Sequence, residues 1–181
     1  MNDKIDLEKY KIILETGFDA AAAGIMGTQV TQLLATLMEV KGATIFVVNP
    51  KTEELEILST QGLSLNYVNK GPILVDKSIR LASNREPMII EETKQSKVLQ
   101  YPEKAEAEGI RSIVSFPVNL GGKIIGALRI YHSEPWHVSE QEKIYLSLLA
   151  RSIGMALKIF RLSSAVQCTR ELFNEIHPVW L

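Results

Sequence analysis

The stretch from residue 112 to residue 131 constrains the fold more than any other part of the sequence. It holds two apolar runs, 112–116 and 123–131, which are connected through Gly121 and Gly122. Neighbouring glycines suit the tight connection of a β-hairpin. Because both runs are apolar almost without interruption, both faces of the sheet that contains them must be covered. The sequence therefore predicts a sheet with helices on each side.

A second hairpin and one more strand are predicted upstream. Residues 44–48 are β-branched or aromatic, 49–52 carry turn residues, and 55–58 return as the partner strand. Residues 88–91 form another strand, whose start is marked by Pro87. The connecting segments are predicted as a loop over 61–72, a short helix over 78–82 and a helix over 98–108 that ends at Gly109.

The N-terminal part, residues 5–40, has apolar residues at helical spacing. Two helices are predicted here, because the segment 20–28 contains two glycines, each of which weakens a helix by about 1 kcal/mol. Thr28 is the candidate N-cap of the second helix. Gly42 is the candidate stop signal that follows it.

The C-terminal part predicts one very long helix. Ser139 and Glu142 have the spacing of a capping box, in which each side chain satisfies the backbone amide of the other. No helix breaker follows before Pro178. Apolar residues along this helix keep 3-4 spacing, which is typical of a coiled-coil or bundle seam. The seam positions are Tyr145, Leu148, Ser152, Met155, Ile159, Leu162, Val166, Thr169, Phe173 and Ile176.

Net charge, apolar runs and cysteine content exclude several classes of function. The 181 residues include 20 Lys+Arg and 21 Asp+Glu, a net charge of −1, which argues against binding to nucleic acid or to a membrane surface. No run of eighteen apolar residues and no signal-peptide pattern is present. The single cysteine, Cys168, allows no internal disulfide, so a cytoplasmic location is expected.

Three motifs occur in order within residues 109–118, 121–128 and 136–142. The first has the pattern G-x-x-S followed by P-[LV], the second contains [IV]-[IV]-G-x-L, and the third matches F-[ST]-x-x-[DE] except that Val138 replaces the aromatic residue. With the order of elements, these motifs make the chain resemble a GAF domain, a small-molecule-sensing relative of PAS domains. The resemblance covers residues 28–162, with an N-terminal helix over 1–27 and an extension of the long helix over 163–181.

This resemblance implies an α+β, profilin-like fold. Its antiparallel sheet carries the terminal helices on one face, while short helices and loops roof a ligand pocket on the other. Alternation along the strands places Gly126, Leu128 and Ile130 toward the terminal helices. The ligand-binding candidates are Thr44, Phe46, Val48, Asp76, Glu91, Ile113, Ser115, Arg129 and Tyr131.

Arg129 is the most informative of these residues, because a guanidinium on the roofed face of a central strand would be buried and would need a partner. In one interpretation it binds a carboxylate or phosphate of an anionic ligand in bidentate fashion. In the other, its partner is internal, and the candidate carboxylates are Glu91, Glu92 and Asp76.

The sequence offers little support for a catalytic site. Relatives that reduce free methionine sulfoxide or attach bilins need a cysteine inside the domain, whereas Cys168 lies on the distal helix and is read as a bystander thiol. His132 and His137 are read as surface or hydrogen-bonded residues, with haem binding as the functional alternative. Asn69-Lys70-Gly71 only superficially matches a cyclic-nucleotide signature. Glu103, Glu106 and Glu108 read as a solvated helix face. No catalytic residue, metal or cofactor is predicted.

The sequence therefore predicts a non-catalytic sensory or regulatory domain that binds a small molecule, an anion in the interpretation where Arg129 contacts the ligand, and forms a homodimer. The expected interface residues are Met155, Ile159, Leu162, Val166, Phe173 and Ile176. Output is expected from a partner such as a kinase or cyclase, or from a longer protein of which this chain is a part. A pocket-less dimerisation module and a small-molecule-modifying enzyme remain as alternatives.

Overall fold

The structure, a computed structural model, describes residues 3–74 and 86–176. Helices lie at both ends of the chain and strands lie between them. The helices are α1 (Leu7–Gly17), α2 (Ala23–Leu37), α3 (Leu65–Val68), α4 (Pro102–Ala107) and α5 (Glu140–Ile176). The strands are β1 (Gly42–Val48), β2 (Glu54–Gln61), β3 (Ile73–Leu74), β4 (Met88–Ile90), β5 (Ser112–Leu120) and β6 (Lys123–His132).

The six strands form one sheet in the order β3-β2-β1-β6-β5-β4, and every neighbouring pair is antiparallel. β1 and β6 occupy the middle of this sheet, as expected for β6. The register sets Arg129 of β6 opposite Thr44 on one side and Ser115 on the other. The two predicted hairpins and the α+β class are confirmed.

The terminal helices α1, α2 and α5 cover one face of the sheet and enclose its main core. Leu128 and Ile130 are fully buried there, as strand alternation predicts. The core side of α5 contributes Leu146, Leu149, Ala150, Ile153 and Leu157. Full burial of one such side chain contributes about 1.5–3 kcal/mol, so this face holds most of the hydrophobic stabilisation.

The break between the first two helices lies earlier than predicted. α1 ends at Gly17 and α2 begins at Ala23, so the expected boundary between residues 27 and 28 falls inside α2. Thr28 is not an N-cap, since its hydroxyl donates to the carbonyl oxygen of Gly24 at 3.0 Å. Gly27 serves close packing instead: a Cβ there would lie 3.0 Å from Cβ of Ser59.

The predicted stop signal at Gly42 is also wrong. α2 ends at Leu37, and Glu39 adopts the left-handed conformation with φ of 53°. Gly42 begins β1, where a Cβ would lie only 2.5 Å from the carbonyl oxygen of Gln61. The glycine is therefore needed for strand pairing and not for helix termination.

The segments that roof the other face differ from their predictions. The predicted loop over 61–72 contains α3, whose first turn is capped by Ser64 Oγ, which accepts from the amide of Tyr67 at 3.2 Å. The helix predicted over 98–108 is shorter, because Pro102 starts it at its first turn and Gly109, with φ of 75°, follows its end. The predicted helix over 78–82 lies outside the described residues.

The start of α5 confirms the capping box. The amide of Glu142 donates to Ser139 Oγ at 3.1 Å, and the amide of Ser139 donates to Glu142 Oε2 at 2.8 Å. Glu142 also accepts from the amide of Lys4 at 2.7 Å, which ties the N-terminal segment to this helix. The capping residue thus joins the two ends of the helical layer.

Candidate functional site

The floor of the candidate site is formed by β1 and β6 on the face away from the terminal helices. Arg129 is only 5% exposed, and its Cζ lies 5.3 Å from the ring centre of Phe46. Tyr131 is fully buried two residues further along β6. Because these residues alternate with Leu128 and Ile130, the predicted division of β6 between the two faces is confirmed.

The two tyrosines of the site pack against each other. The rings of Tyr67 and Tyr131 meet edge to face, with centres 5.7 Å apart. Burial raises the pKa of both phenols, and Arg129 lowers each only in part. The Tyr131 hydroxyl is buried near Thr44 and Arg129 without a hydrogen bond of ordinary geometry within the described residues. Both phenols are therefore neutral at neutral pH.

Lys70, which the sequence did not suggest as a site residue, brings a second positive charge. Its Nζ donates to the carbonyl oxygen of Tyr67 at 3.1 Å and lies 3.9 Å from the Tyr67 ring centre. The pKa of Lys70 falls to about 8, mainly because of burial and then because of Arg129, while Glu108 acts in the opposite direction. Only the unforeseen turn of α3 places Lys70 here, so no local pattern could have identified it.

The roof closes over these residues through a small set of hydrogen bonds. Tyr101 Oη and Gln100 Nε2 each donate to the carbonyl oxygen of Pro72 at 2.9 Å. Gly71 has φ of 128°, and a Cβ on it would lie 2.7 Å from Tyr101 Oη. The remaining cavity measures about 20 Å³, and its lining residues are Tyr67, Lys70, Ile73, Met88, Val98, Leu99, Gln100, Tyr101 and Arg129. This is room for about one water molecule.

The other predicted binding residues on the strands lie on the same face. Ile113 packs with Tyr67 and Tyr131, and Val48 packs beside Phe46. Ser115 is buried next to Arg129 in the register. The Thr44 hydroxyl is hydrogen-bonded to the Thr60 hydroxyl at 2.8 Å. The strand candidates are thus brought together around Arg129.

The acidic candidates Glu91 and Glu92 are not brought together around Arg129. Glu91 is exposed, and its Oε1 lies 2.8 Å from Nδ1 of His137. Glu92 pairs with Arg111, whose hydrogen bond lowers the pKa of the Glu92 carboxyl. The proposed placement of Glu91 in the pocket and the pairing of Arg129 with Glu91 or Glu92 are therefore wrong, because these side chains lie beyond the end of β4. Asp76 lies outside the described residues.

Two further expectations about polar residues need correction. His132 is not a surface residue: it is 8% exposed and packs against Trp136, with ring centres 6.3 Å apart. Glu108 is not simply solvated, since it accepts hydrogen bonds from the amide and hydroxyl of Ser64 and so ties α3 to α4.

The thiol of Cys168 is exposed on α5. Within residues 3–74 and 86–176, no group of His, Cys, Asp and Glu is arranged to hold a metal ion.

The outer surface of α5 carries the predicted seam. Met155, Ile159, Leu162 and Val166 are between 49% and 68% exposed, and they continue the exposed residues Ile144 and Leu148. The predicted interface side chains of Phe173 and Ile176 lie outside the described part of the structure. We call Met155, Ile159, Leu162 and Val166 the α5 stripe. An apolar stripe of this length is unusual on a monomer.

A sequence model of the GAF domain family matches residues 27–157. The chain belongs to the GAF domain family. GAF domains are regulatory and sensory domains, generally without catalytic activity. The family match spans the whole sheet and the first half of α5. Curated protein sequences give no significant match to the chain.

Solved structures support the GAF fold. The GAF domain of a phosphoenolpyruvate-protein phosphotransferase from Coxiella burnetii is similar, with a TM-score of 0.77, 19% identity, and coverage of 88% of this chain and 96% of that one. A domain of a putative sensor histidine kinase from Sinorhizobium meliloti has a TM-score of 0.66, 19% identity and coverage of 76% and 91%. The free methionine-R-sulfoxide reductase from Neisseria meningitidis has a TM-score of 0.71, 14% identity and coverage of 90% and 98%. No described helix of this chain could cross a bilayer.

Proposed function

We propose that this GAF domain is a sensory domain for a small anionic molecule and has no catalytic activity of its own. The ligand binds on the roofed face against Arg129, and its remaining contacts come from Thr44, Phe46, Val48, Ile113, Ser115 and Tyr131. The domain acts in the cytoplasm as a homodimer. Its output is a kinase, a cyclase or a similar partner.

The observation that carries this proposal is the position of Arg129. A guanidinium that is 5% exposed lines the cavity together with Lys70, so an anion bound at this site would lie beside two basic side chains. Arginine is also the side chain best suited to bidentate contact with a carboxylate or phosphate. Burial keeps the phenols of Tyr67 and Tyr131 neutral near pH 7, so these two side chains add no negative charge that would oppose an anion.

Signalling would start at the roof. A ligand larger than the 20 Å³ cavity requires the roof to move away from the sheet. Since β6 runs through the centre of the sheet and α5 packs on its opposite face, a shift of β6 would change how α5 pairs with its copy. This route is a two-state hypothesis, in which the ligand favours one arrangement of the dimer.

Native mass spectrometry and calorimetry test the proposal. The purified protein is examined for a co-purifying small molecule and titrated with a panel of small carboxylates and phosphates. Loss of charge-assisted hydrogen bonds costs about 1.5–3 kcal/mol, so Arg129→Ala should weaken binding by about 10- to 150-fold. Arg111→Ala, which removes an exposed arginine paired with Glu92, is the matched control and should bind as the wild type does. Absence of any bound or co-purifying anion would overturn the proposal.

The second candidate function is a pocket-less dimerisation module. Its support is the small cavity, together with the α5 stripe, which offers an interface that needs no ligand. In that case Phe46, Tyr131 and the roof fill the site permanently. Thermal melting of the protein with the same panel of anions separates the two candidates. If the site is permanently filled, no anion should change the melting temperature.

A third candidate, a small-molecule-modifying enzyme, has weaker support. One similar structure is a methionine sulfoxide reductase, but Cys168 is the single cysteine of this chain and lies exposed on α5. We expect no turnover of free methionine sulfoxide and no effect of Cys168→Ser on ligand binding. Turnover that disappears in Cys168→Ser would favour the enzyme instead.

A further inference from the structure

The exposed side of α5 has an uneven distribution of charge. Between residues 143 and 170 this helix contains five basic residues and no acidic residue. The basic residues are Lys143, Arg151, Lys158, Arg161 and Arg170. Since the whole chain has a net charge of −1, the residues outside this segment have a net charge of −6. The positive charge of the chain is therefore concentrated on one element.

The basic residues near the α5 stripe have no counter-ion. Those that are exposed are Arg151, Lys158, Arg161 and Arg170. None of these four forms an ion pair with a carboxylate of residues 3–74 and 86–176. Residues 161–171 are all exposed, so the rest of the described chain does not cover this part of α5. The helix therefore presents apolar side chains and unpaired positive charges side by side.

We propose that the α5 stripe is a docking surface for a helix of the output partner, one whose apolar heptad seam is flanked by acidic residues. This inference rests on the proposed function, because it concerns the partner through which the domain acts. It adds the chemistry by which that partner is selected over a second copy of this chain.

The basic residues stand at the positions that select a partner in a coiled coil. In the heptad that the α5 stripe defines, its residues alternate between positions a and d, with Ile159 at a. Arg151 and Lys158 then take position g, and Arg170 takes position e. Residues at e and g form ion pairs between helices and set the choice and orientation of the partner. Acidic residues at the facing positions of another helix would therefore pair with all three.

A second copy of the chain offers no such acidic residues. In a parallel pair each g residue faces the e residue five positions further along the other helix, so Arg151 faces Ala156 and Lys158 faces Ser163. An antiparallel pair sets g residues opposite g residues, which supplies no carboxylate either. Self-association through the α5 stripe therefore depends on apolar contacts alone, and an acidic partner helix would displace the second copy.

The width of the apolar surface favours a helix over an anionic membrane. A helix that lies in a membrane interface has a large apolar face, often with aromatic residues. A stripe restricted to a and d positions is the narrower seam of a coiled coil. The net charge of −6 on the rest of the chain would also oppose contact with an anionic bilayer. A partner helix therefore fits this surface better.

Binding of three labelled peptides to the full chain tests this inference. The peptides have the same a and d residues over four heptads and differ only in having Glu, Gln or Lys at e and g. Fluorescence anisotropy in about 0.1 M salt should show at least about tenfold tighter binding of the Glu peptide than of the Lys peptide, because each facing pair changes from attractive to repulsive. The difference should shrink as the salt concentration rises, since salt screens exposed charges.

Charge reversal on the protein separates pairing at these positions from general attraction. The combined variant Arg151→Glu, Lys158→Glu and Arg170→Glu should prefer the Lys peptide. The matched control reverses three exposed lysines elsewhere on the chain, which are Lys51→Glu, Lys97→Glu and Lys123→Glu. It has the same net charge as the first variant and should keep the preference for the Glu peptide. Thermal melting confirms that both variants are folded.

Equal binding of the Glu and Lys peptides to the wild type, at every salt concentration, would overturn this inference. Binding to vesicles that contain phosphatidylserine, without binding of the Glu peptide, would assign the α5 stripe to a membrane and overturn it as well. Both results leave the anion site at Arg129 untouched, because the anion titration measures the opposite face of the sheet. Absence of anion binding would instead overturn the proposed function while the peptide preference remained.

Discussion

The two faces of the sheet share the same strands but are covered in different ways. On the helix face, α1, α2 and α5 enclose one large apolar core that includes Phe116, Leu128 and Leu149. On the roofed face, short segments cover two small apolar clusters with Arg129 and Lys70 between them. The helix face therefore holds the fold together through its apolar core. The roofed face is covered by short segments and carries the basic side chains Arg129 and Lys70 among its apolar residues.

The helix face carries most of the stability, whereas the roof is the part that can open locally. Regions with few buried apolar contacts and exposed hydrogen bonds open locally at low free-energy cost. The roof meets this description, because α3 has four residues and its neighbour Pro72 is held by two exposed hydrogen bonds. The helix face can therefore stay folded while the roof opens, as the proposed sensory function requires.

The largest expected effect comes from a cavity on the helix face. Leu149→Ala removes a fully buried side chain of α5 and should reduce the free energy of unfolding by about 2–5 kcal/mol. The matched control is Leu65→Ala on α3, where the leucine is 78% exposed, and the change should be within about 0.5 kcal/mol. Urea denaturation measures both. Similar losses in the two variants would contradict the division between the faces.

The next effect concerns association through the α5 stripe. Ile159→Glu and Val166→Glu place a charge within the proposed interface, and each should weaken dimerisation by at least about fivefold, as for a residue that costs more than about 1 kcal/mol when altered. Ser164→Glu adds the same charge at an exposed polar position of α5 and should leave the dimer intact. Sedimentation equilibrium distinguishes them. An unchanged dimer in both variants would move the interface elsewhere, first to α1.

A smaller effect is expected at the roof. Gly71→Ala combines an unfavourable φ of 128° with a Cβ that would lie 2.7 Å from Tyr101 Oη, at a cost of about 1–3 kcal/mol that is confined to the roof. Hydrogen exchange of α3 amides should accelerate while exchange in α5 stays slow. Gly121→Ala has a φ of 55° but no atom within 4 Å of the added Cβ, so it controls for strain alone and should not affect α3. Accelerated exchange in both helices would show that the roof does not open independently.

The helix face was the more predictable of the two. Strand alternation separated Leu128 and Ile130 from Arg129 and Tyr131, because a period of two is a local property of the backbone. The capping box of Ser139 and Glu142 was equally local, since both hydrogen bonds lie within one turn. Where the sequence failed on this face, at Gly27 and Gly42, the glycines serve contacts with β2 that no local pattern records.

The roof was not predictable, because distant segments build it. Tyr101 meets Pro72 across 29 residues, and Ser64 meets Glu108 across 44. Glu108 therefore looked like one of several solvated acids, and Lys70 looked like part of a loop. Arg129 could be found because its strand is regular, whereas Lys70 depends on how α3 and the residues after it lie over the sheet. Glu91 and Glu92 could not be excluded as partners for Arg129 without knowing where β4 ends.

The smallest expected effect is a pH dependence of the helix face, carried by His132. This imidazole is 8% exposed beside Trp136, and its Nδ1 has no hydrogen-bond partner among the described residues. Burial lowers the pKa of His132, Lys4 lowers it further, and Glu134 opposes them. The unfolded chain therefore takes up this proton first as pH falls, so the stabilisation is complete above the unfolded pKa of about 6.5 and is lost below it.

Urea midpoints measured between about pH 7.5 and about pH 5 should therefore decline more steeply in the wild type than in His132→Gln, because the variant has no imidazole to protonate at this position. His137→Gln removes an exposed imidazole and should retain the steeper wild-type decline. The comparison of this decline between the wild type and each variant cancels the contribution of the carboxylates that all three proteins share. If His132→Gln kept the full decline, the acid sensitivity would belong to other groups, and the helix face would be insensitive to pH at this position. If His132→Gln loses the steeper decline, acid weakens the helix face through protonation of His132.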